Sequence, residues 1–223
     1  MTEVRNSSRL GAVVLAGGRS SRLGRDKAFL RVNGQFLIER ILDRLAQLSD
    51  EVIIVANDAK RYEHFEAAIV GDTYPGKGAL GGIYSGLTAA TSNHCLVVAC
   101  DMPFLNLSLL RYMHGMASDH DVVIPRLGKL TEALHAIYSK DCLPFMDDLL
   151  HAGDLRIVNF FSHVRVRYVD RDEVDIFDPE HLSFFNINSQ ADLTRAREIW
   201  RGERSPNASS DIPLGGHLSP ARR

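Results

Sequence analysis

The residues best suited to chemistry lie in a short glycine-rich segment near the start of the chain. It begins at Leu15, where an apolar run ends, and reaches Lys27 through two adjacent glycines, Gly17 and Gly18. Glycine lets backbone N–H groups approach an anion closely, because no Cβ intervenes. Arg22 and Lys27 add two positive charges. A strand followed by a glycine-rich basic loop is typical of phosphate binding in α/β proteins, and we predict that this loop binds a polyphosphate.

Two common kinds of phosphate loop do not fit this segment. A P-loop has Ser or Thr directly after its Gly-Lys pair, whereas Lys27 follows Asp26 and precedes Ala28. The dinucleotide-binding fingerprint G-x-G-x-x-G fails as well, because Gly17 and Gly18 are adjacent. The loop therefore belongs to another class.

The segment resembles L-A-G-G-x-S-x-R-x-G-x-D-K, the signature of the molybdenum cofactor guanylyltransferases. The matching residues, in order, are Leu15, Ala16, Gly17, Gly18, Ser20, Arg22, Gly24, Asp26 and Lys27. The resemblance covers residues 11–200. It implies an α/β fold, a three-layer, Rossmann-like nucleotidyltransferase domain with a mostly parallel central sheet. In the nucleotide site it places Leu15, Ala16, Gly17, Gly18 and Lys27.

Asp101 is the strongest candidate outside this loop, because it directly follows a very apolar run at residues 95–100. A carboxylate there needs a cation or hydrogen-bond donors. Mg²⁺ on one or two carboxylates would offset the charge of a triphosphate. The segment Cys100-Asp101-Met102-Pro103 resembles the C-D-M-P metal-binding segment of the same family. We therefore expect Asp101 to bind Mg²⁺ and nucleotide, and expect catalysis to use Arg22, Lys27 and Asp101.

Base recognition is expected at Asn57 and Asp72, each of which follows a predicted strand. A carboxylate such as that of Asp72 can accept both the N1–H and the exocyclic amine of guanine, and the resemblance places both residues in the guanosine site. A helix cap at Asn57 and a turn residue at Asp72 are the alternatives. The second glycine-rich loop resembles P-G-x-G-P-L-G-G, with Ala79 in place of Pro. Gly78 is expected to approach the nucleotide, whereas Gly82 is explained equally well by helix packing.

Three further segments leave alternatives open. Asn186 and Asn188 resemble an N-[IV]-N-[ST]-P segment and, on a strand, would point the same way toward metal or phosphate; a turn and helix cap is an equal alternative. His135 alternates with apolar residues, which favours a hydrogen-bonded core residue over a catalyst. Arg165 and Arg167 lie on a predicted edge strand, where charge is usually solvated.

Composition excludes several classes of protein. The 223 residues carry a net charge of −2 and are 45% hydrophobic, which gives no electrostatic footprint for nucleic acid or membrane. The three cysteines, Cys95, Cys100 and Cys142, show no metal spacing. They suggest buried thiols in a reducing compartment, so we expect a cytoplasmic protein with no membrane span.

The order of elements follows from hydrophobic periodicity. Short apolar runs predict strands at residues 12–16, 51–56, 68–70, 95–100, 122–125, 134–138 and 164–169. Helical spacing predicts helices at residues 36–48, 106–116, 141–151 and 189–200, and the second glycine-rich loop, residues 72–83, opens a further helix that runs through Ala90. In the first helix, Glu39, Arg40, Asp43 and Arg44 are predicted on the face opposite the core. Strand–helix alternation favours a parallel sheet with helices on both faces. We expect a flexible segment at 1–10, one domain at 11–201 and a disordered tail at 202–223.

The resemblance implies transfer of GMP from GTP to the phosphate of molybdopterin or of the molybdenum cofactor, with release of pyrophosphate. Other proteins of molybdenum cofactor biosynthesis would then be partners. Two related activities stay open: molybdopterin cytidylyltransferases usually have L-A-A-G in the first loop, and sugar-phosphate nucleotidyltransferases usually lack C-D-M-P. A nucleotide-binding sensor without turnover is an alternative of another class, which Asp101 argues against.

Overall fold

The computed structural model describes residues 9–16 and 27–203. The expectations for Gly17, Gly18 and Arg22 therefore concern residues outside the described part, as do those for residues 1–8 and 204–223. The domain bounds predicted at these two ends stay predictions.

The described residues form a mixed sheet with helices around it. The strands are β1 (Leu10–Leu15), β2 (Arg31–Val32), β3 (Gln35–Phe36), β4 (Glu51–Val55), β5 (Ala68–Val70), β6 (His94–Ala99), β7 (Val122–Leu127), β8 (Leu130–Thr131), β9 (His135–Ser139) and β10 (Val166–Asp170). The helices are α1 (Leu37–Leu45), α2 (Gly78–Ala89), α3 (Leu107–His114), α4 (Leu143–Ala152), α5 (Arg171–Phe177) and α6 (Gln190–Glu203).

Strand β1 lies in the interior of the sheet, whose order is β10-β7-β9-β6-β1-β4-β5. It pairs in parallel with β4 on one side and with β6 on the other, and β4 pairs in parallel with β5. Strand β9 runs antiparallel to β6 and β7, while β8 pairs with β7 and β10 forms the edge. The predicted mostly parallel sheet is confirmed, and the strand order reverses direction across β1.

Alternate residues of β1 face opposite helix layers, as expected of a strand buried on both faces. Val14 packs in one cluster with Ile41 of α1 and Leu109 of α3. Val13 packs in the other cluster with Ile83 and other residues of α2 and α4. The predicted three-layer architecture is therefore confirmed.

A third, smaller core lies under α6. Trp200 packs there with Val32 of the β2–β3 hairpin, with Phe104 beyond β6 and with Ile187. The hairpin turns at Asn33 and Gly34, both of which have positive φ. Helix α6 therefore joins the segment after Lys27 to the segment after Asp101.

Several element boundaries differ from the sequence prediction. Helix α1 begins at Leu37, because Glu39 accepts the Phe36 N–H at 2.7 Å, and it ends at Leu45 before a turn. Helix α3 has the predicted cap, since Asn106 Oδ1 accepts from the N–H groups of Ser108 and Leu109, both at 3.0 Å. Helix α5 was missed, although Asp170-x-x-Glu173 is a capping signal: Asp170 N–H donates to Glu173 Oε2 at 3.1 Å.

No helix in the described part of the chain is long and apolar enough to cross a membrane.

Candidate active site

The carboxyl ends of four parallel strands meet at one edge of the sheet. Leu15 of β1 is in register with Val55 of β4 and with Ala99 of β6, and Val55 is in register with Val70 of β5. The residues just beyond these ends include Ala16, Asn57, Asp72 and Asp101. In open α/β sheets, ligands bind beyond the carboxyl ends where the strand order reverses. The strand directions thus bring the predicted site residues to the expected edge.

Lys27, Asp101 and Asn188 form a polar cluster at this edge. Lys27 Nζ lies 2.7 Å from Asp101 Oδ2 and 2.5 Å from Asn188 Oδ1. The two charged side chains are 21% and 18% exposed, so the pair borders solvent without being fully hydrated. The Ile187 N–H donates to the Asp101 carbonyl at 3.0 Å and fixes the position of Asn188. Three segments far apart in sequence are therefore joined at one point.

The two asparagines do not act as a pair on a strand. Residues 185–188 lie in an irregular segment, and Asn186 Nδ2 donates to the Phe184 carbonyl at 3.3 Å. Only Asn188 of the two has a hydrogen bond to Lys27. The strand assumed for them from sequence is wrong, because Ile187 bonds to the Asp101 backbone and not to a ladder partner. Ser189 does cap α6 as expected, with Oγ accepting the Asp192 N–H at 3.2 Å.

The donor set around Lys27 fits Mg²⁺. Asp101 supplies a carboxylate and Asn188 an amide oxygen, and Lys27 Nζ already bridges these two oxygens. Mg²⁺ prefers oxygen ligands and usually keeps water and substrate phosphates as the rest of its shell. Within residues 9–16 and 27–203 no group of three His, Cys, Asp or Glu side chains could hold a metal ion. Any Mg²⁺ bound by these described residues would therefore depend on the substrate for further ligands.

A buried arginine supports the segment after Asp101. Arg40 of α1 is only 8% exposed, and its Nε donates to the Pro103 carbonyl at 3.0 Å. Its guanidinium lies 4.2 Å from the Trp200 ring centroid and 5.3 Å from that of Phe104. The prediction that Arg40 faces solvent is wrong, because α6 and Phe104 cover this side of α1. Helical periodicity places a residue on a face but gives no sign that a second element covers that face.

The end of β1 is fixed by backbone bonds. The Ala16 N–H donates to the Val55 carbonyl at 3.0 Å, and the Ala16 carbonyl accepts from Tyr62 OH at 2.9 Å. The Leu15 carbonyl accepts from the Cys100 N–H at 3.2 Å. Leu15 and Ala16 thus fix where the first loop leaves the sheet. Nucleotide contact by these two residues stays a prediction.

The predicted base-recognition residues are neighbours. Asn57 Oδ1 accepts the Asp72 N–H at 3.2 Å. Asp72 Oδ1 accepts the Tyr74 N–H at 3.0 Å and the Ser85 hydroxyl at 3.3 Å. Asp72 Oδ2 has no hydrogen bond among the described residues, so this oxygen is the one available to a ligand.

The glycines of the second loop have separate roles. Gly78 begins α2 with φ +64°, and a Cβ there would meet nothing within 4 Å, so its backbone is open to a ligand. A Cβ on Gly82 would lie 3.1 Å from Leu15 Cδ2, and one on Gly81 would lie 3.0 Å from the Tyr74 carbonyl. Gly82 is therefore explained by close packing of α2 on β1. For Gly78, contact with the nucleotide stays a prediction.

His135 is a core residue, but it lacks the hydrogen bond expected for it. It is fully buried, and in the described part of the chain neither ring nitrogen has a partner. Its ring packs edge-on against Phe184 at 5.1 Å. Burial lowers the pKa of His135 to about 4, although the charge of Asp178 opposes this shift. The imidazole is therefore neutral at pH 7.

The two arginines near the edge strand are paired. Arg165 Nη2 lies 2.8 Å from Asp121 Oδ1, and Arg167 forms an ion pair with Glu173. Both arginines are ion-paired, because Asp121, just before β7, and Glu173 of α5 supply carboxylates; the Arg165 side chain is still 65% exposed, as the sequence predicts. The hydrogen bond from Arg165 is the chief cause that lowers the pKa of Asp121.

The chain is similar to known nucleotidyltransferases over most of its length. Residues 12–166 match the family model described as "MobA-like NTP transferase domain". A protein of Pelotomaculum thermopropionicum, named "Probable molybdenum cofactor guanylyltransferase", is 37% identical over 86% of this chain and 94% of its own length. A "Molybdenum cofactor guanylyltransferase" of Syntrophotalea carbinolica is 36% identical over 85% of this chain and 90% of its own.

A solved structure has the same fold. The crystal structure titled molybdopterin-guanine dinucleotide biosynthesis protein A, from Archaeoglobus fulgidus, superposes with a TM-score of 0.76 at 30% identity. The match covers 86% of this chain and all of that one. The two chains therefore share their fold over most of their length.

Proposed function

We propose that this chain transfers GMP from GTP to molybdopterin or the molybdenum cofactor. The chain belongs to the MobA-like NTP transferases and, within them, to the molybdenum cofactor guanylyltransferase family. The observation that carries the proposal is the contact of Lys27 with both Asp101 and Asn188 at the carboxyl edge of the sheet. Such a cluster combines one cation with two oxygen donors where a nucleoside triphosphate would bind. Its parts suit phosphoryl chemistry.

The reaction joins the terminal phosphate of molybdopterin to the α-phosphorus of GTP. One P–O bond forms, the bond from the α-phosphorus to the bridging oxygen breaks, and pyrophosphate leaves. A phosphate monoester is mostly dianionic near neutral pH, with a second pKa of about 6, so the attacking oxygen needs no strong general base. Catalysis then consists of positioning and charge neutralisation.

Each residue has a defined part in this scheme. Lys27 and Arg22 neutralise charge on the triphosphate, and the N–H groups of the first loop, including those of Gly17 and Gly18, bind its oxygens. Asp101 and Asn188 would hold Mg²⁺, which supplies further charge neutralisation when bound. Lys27 Nζ sits between these two oxygens in the structure and must turn toward phosphate when the nucleotide binds.

Guanine is read by Asp72, with Asn57 fixing its backbone. The free Oδ2 of Asp72 can accept from the base while Oδ1 is held by Tyr74 and Ser85. A carboxylate facing N1–H and the exocyclic amine selects guanine over adenine, which presents no N1–H. Gly78 lets the start of α2 approach the nucleotide, since its surroundings are open.

The proposal extends to the setting of the reaction. Cys95, Cys100 and Cys142 are all buried, which supports a reducing compartment and hence the cytoplasm. Molybdopterin is the acceptor, and other proteins of molybdenum cofactor biosynthesis are the expected partners. The names of the relatives favour guanylyl transfer over cytidylyl or sugar-phosphate transfer.

The test combines binding and turnover. The purified protein is titrated with GTP, CTP, ATP and UTP, with and without Mg²⁺, and pyrophosphate release is then followed with molybdopterin. We expect selective GTP binding and release that requires both Mg²⁺ and molybdopterin. A CTP preference would indicate a cytidylyltransferase, and GTP binding without release would indicate a sensor.

A further inference from the structure

The side chain that would recognise guanine is oriented by its own loop. Asp72 Oδ1 accepts the Tyr74 N–H at 3.0 Å, so the carboxylate and the Tyr74 backbone move as one unit. The Tyr74 carbonyl accepts the Lys77 N–H at 3.0 Å. The orientation of Asp72 therefore depends on where Tyr74 is fixed, together with Ser85 of α2, whose hydroxyl donates to the same oxygen at 3.3 Å.

Tyr74 is fixed by an element outside this loop. Its hydroxyl donates to Asp147 Oδ1 on α4 at 2.6 Å. The ring also packs edge-on against Tyr84 of α2, with centroids 5.3 Å apart, and against His151 of α4, at 5.7 Å. This hydrogen bond raises the pKa of Tyr74 to about 12. The loop is thus bonded across the α2–α4 layer to a residue that lies 73 positions further along the chain.

The loop backbone after Tyr74 has open space around two glycines. Gly76 and Gly78 both have positive φ, and a Cβ at either position would meet nothing within 4 Å. Glycine also has more backbone freedom than any other residue. The Tyr74 side chain therefore anchors the loop to α4, while the Thr73 N–H, which donates to Ser85 Oγ at 2.8 Å, anchors it to α2.

We propose that Tyr74 and Asp147 are positioning residues for guanine selectivity: their hydrogen bond fixes the Tyr74 backbone, and the Tyr74 N–H in turn fixes the Asp72 carboxylate. This inference rests on the proposed function, because it assigns a part in base recognition at the same site. The proposal gives neither residue a contact with the nucleotide, and among the described residues neither bonds to Lys27 or Asp101. The pair acts on binding and base choice while the transfer step stays intact.

The test compares two tyrosines that have the same kind of bond. Tyr74→Phe removes only the hydroxyl that reaches Asp147. Tyr112→Phe is the matched control, since Tyr112 OH donates to Glu173 Oε1 at 2.5 Å and joins α3 to α5 in the other helix layer. Asp147→Leu removes the acceptor from the other side, and Asp147→Asn keeps an oxygen that can accept from Tyr74.

The measurements are the Kd values of GTP and ATP, together with kcat and KM for molybdopterin-dependent transfer. For Tyr74→Phe and Asp147→Leu we expect the Kd and the KM of GTP to rise by about 3- to 10-fold, the scale of one lost hydrogen bond. The Kd of ATP and the value of kcat should change by less than about 2-fold. Asp147→Asn should recover most of the loss seen in Asp147→Leu, and Tyr112→Phe should keep the wild-type ratio of GTP to ATP affinity.

The outcomes separate this inference from the proposed function. If the wild-type protein prefers GTP and Tyr74→Phe keeps that preference unchanged, the positioning role is wrong and the guanylyltransferase proposal stands. If Tyr112→Phe loses the preference equally, general destabilisation explains the effect and the positioning role is also wrong. A wild-type protein without any preference for GTP would overturn both.

Discussion

At the scale of single residues, the site depends on one cation between two oxygen donors. Lys27 is close enough to Asp101 and to Asn188 to bond both, and all three come from separate parts of the chain. The Lys27 ammonium keeps the partly buried Asp101 carboxylate paired. An unpaired carboxylate at this position would be costly. The same two groups are then available for a triphosphate and its metal ion.

Lys27→Ala and Asp101→Ala should each lower kcat for guanylyl transfer by about 100-fold or more, the usual effect of removing one group that stabilises developing charge. Unfolding free energies should change by no more than about 1 kcal/mol, because the pair borders solvent. Arg126→Ala is the matched control: Arg126 Nε lies 2.7 Å from Asp170 Oδ1, far along the sheet near β10. Near wild-type turnover in either site variant would contradict the assignment.

Asp72→Ala should relax the choice of base. We expect the ratio of GTP to ATP affinity to fall by about 10- to 100-fold, because a charged acceptor for two guanine donors is lost. Competition binding with the two nucleotides measures this ratio directly. Asp50→Ala, an exposed aspartate just before β4 at the opposite edge of the sheet, should leave it unchanged. Unchanged discrimination in Asp72→Ala would show that guanine is read elsewhere.

Sequence reasoning predicted some of these residues and missed others for a physical reason. Lys27 and Asp101 could be found because loop chemistry and strand ends mark them in the sequence. The sequence predicts Arg40 on the face opposite the core and a hydrogen bond for His135. Both predictions are wrong, because the surroundings of each side chain depend on distant residues that pack over it. The covering groups, Trp200 and Phe184, lie far along the chain, and no local pattern reports such contacts.

At the scale of elements, glycines in α2 set how closely this helix approaches β1. A Cβ on Gly86 would lie 2.3 Å from Val13 Cγ1, which real contacts do not allow. The sequence showed a glycine-rich loop, and the contact distances show that Gly82 and Gly86 serve packing while Gly78 faces open space. Strand and helix positions were predictable from periodicity. The conformation of residues 186–188 was not predictable, because this irregular segment is bonded to another irregular segment and has no hydrophobic periodicity.

Gly86→Ala should therefore lower the free energy of unfolding by about 1–3 kcal/mol, the cost of overpacking a core. Chemical denaturation followed by circular dichroism measures this change. Gly202→Ala is the matched control, since Gly202 lies in α6 and a Cβ there meets nothing within 4 Å. That substitution should stabilise the protein slightly through helix propensity. Adding Val13→Ala to Gly86→Ala should recover part of the loss, and equal stability of Gly86→Ala and the wild type would refute the close contact.

At the scale of the whole molecule, the sheet order decides which loops meet. Strand β1 lies between β4 and β6, so Ala16, the base-recognition residues and Asp101 share one edge. The sequence predicted the parallel strands from strand–helix alternation. It did not predict that β9 would run antiparallel, because an apolar strand pattern carries no direction. That reversal places His135, the first residue of β9, next to Val98 at the same edge.

The buried His135 links global stability to pH. Its pKa is about 4 in the folded chain, against 6.5 for a solvent-exposed histidine, so below pH 6.5 the unfolded chain gains a proton that the folded chain does not. Stability is thus fully present above pH 6.5 and falls as the pH drops toward 4, by about 3 kcal/mol. His135→Leu should remove this part of the loss in denaturation curves taken across that range. The exposed His163→Leu is the control, and equal pH slopes for wild type and His135→Leu would contradict a buried neutral imidazole.

The central claim, guanylyl transfer to molybdopterin, is tested most directly by the product. The protein is incubated with Mg²⁺, molybdopterin and equal concentrations of GTP, CTP, ATP and UTP, and the products are identified by mass spectrometry. We predict molybdopterin guanine dinucleotide as the main product, formed in equal amount with pyrophosphate and lost in Asp101→Ala. A cytosine dinucleotide, or no dinucleotide at all from a protein that binds GTP, would contradict the claim.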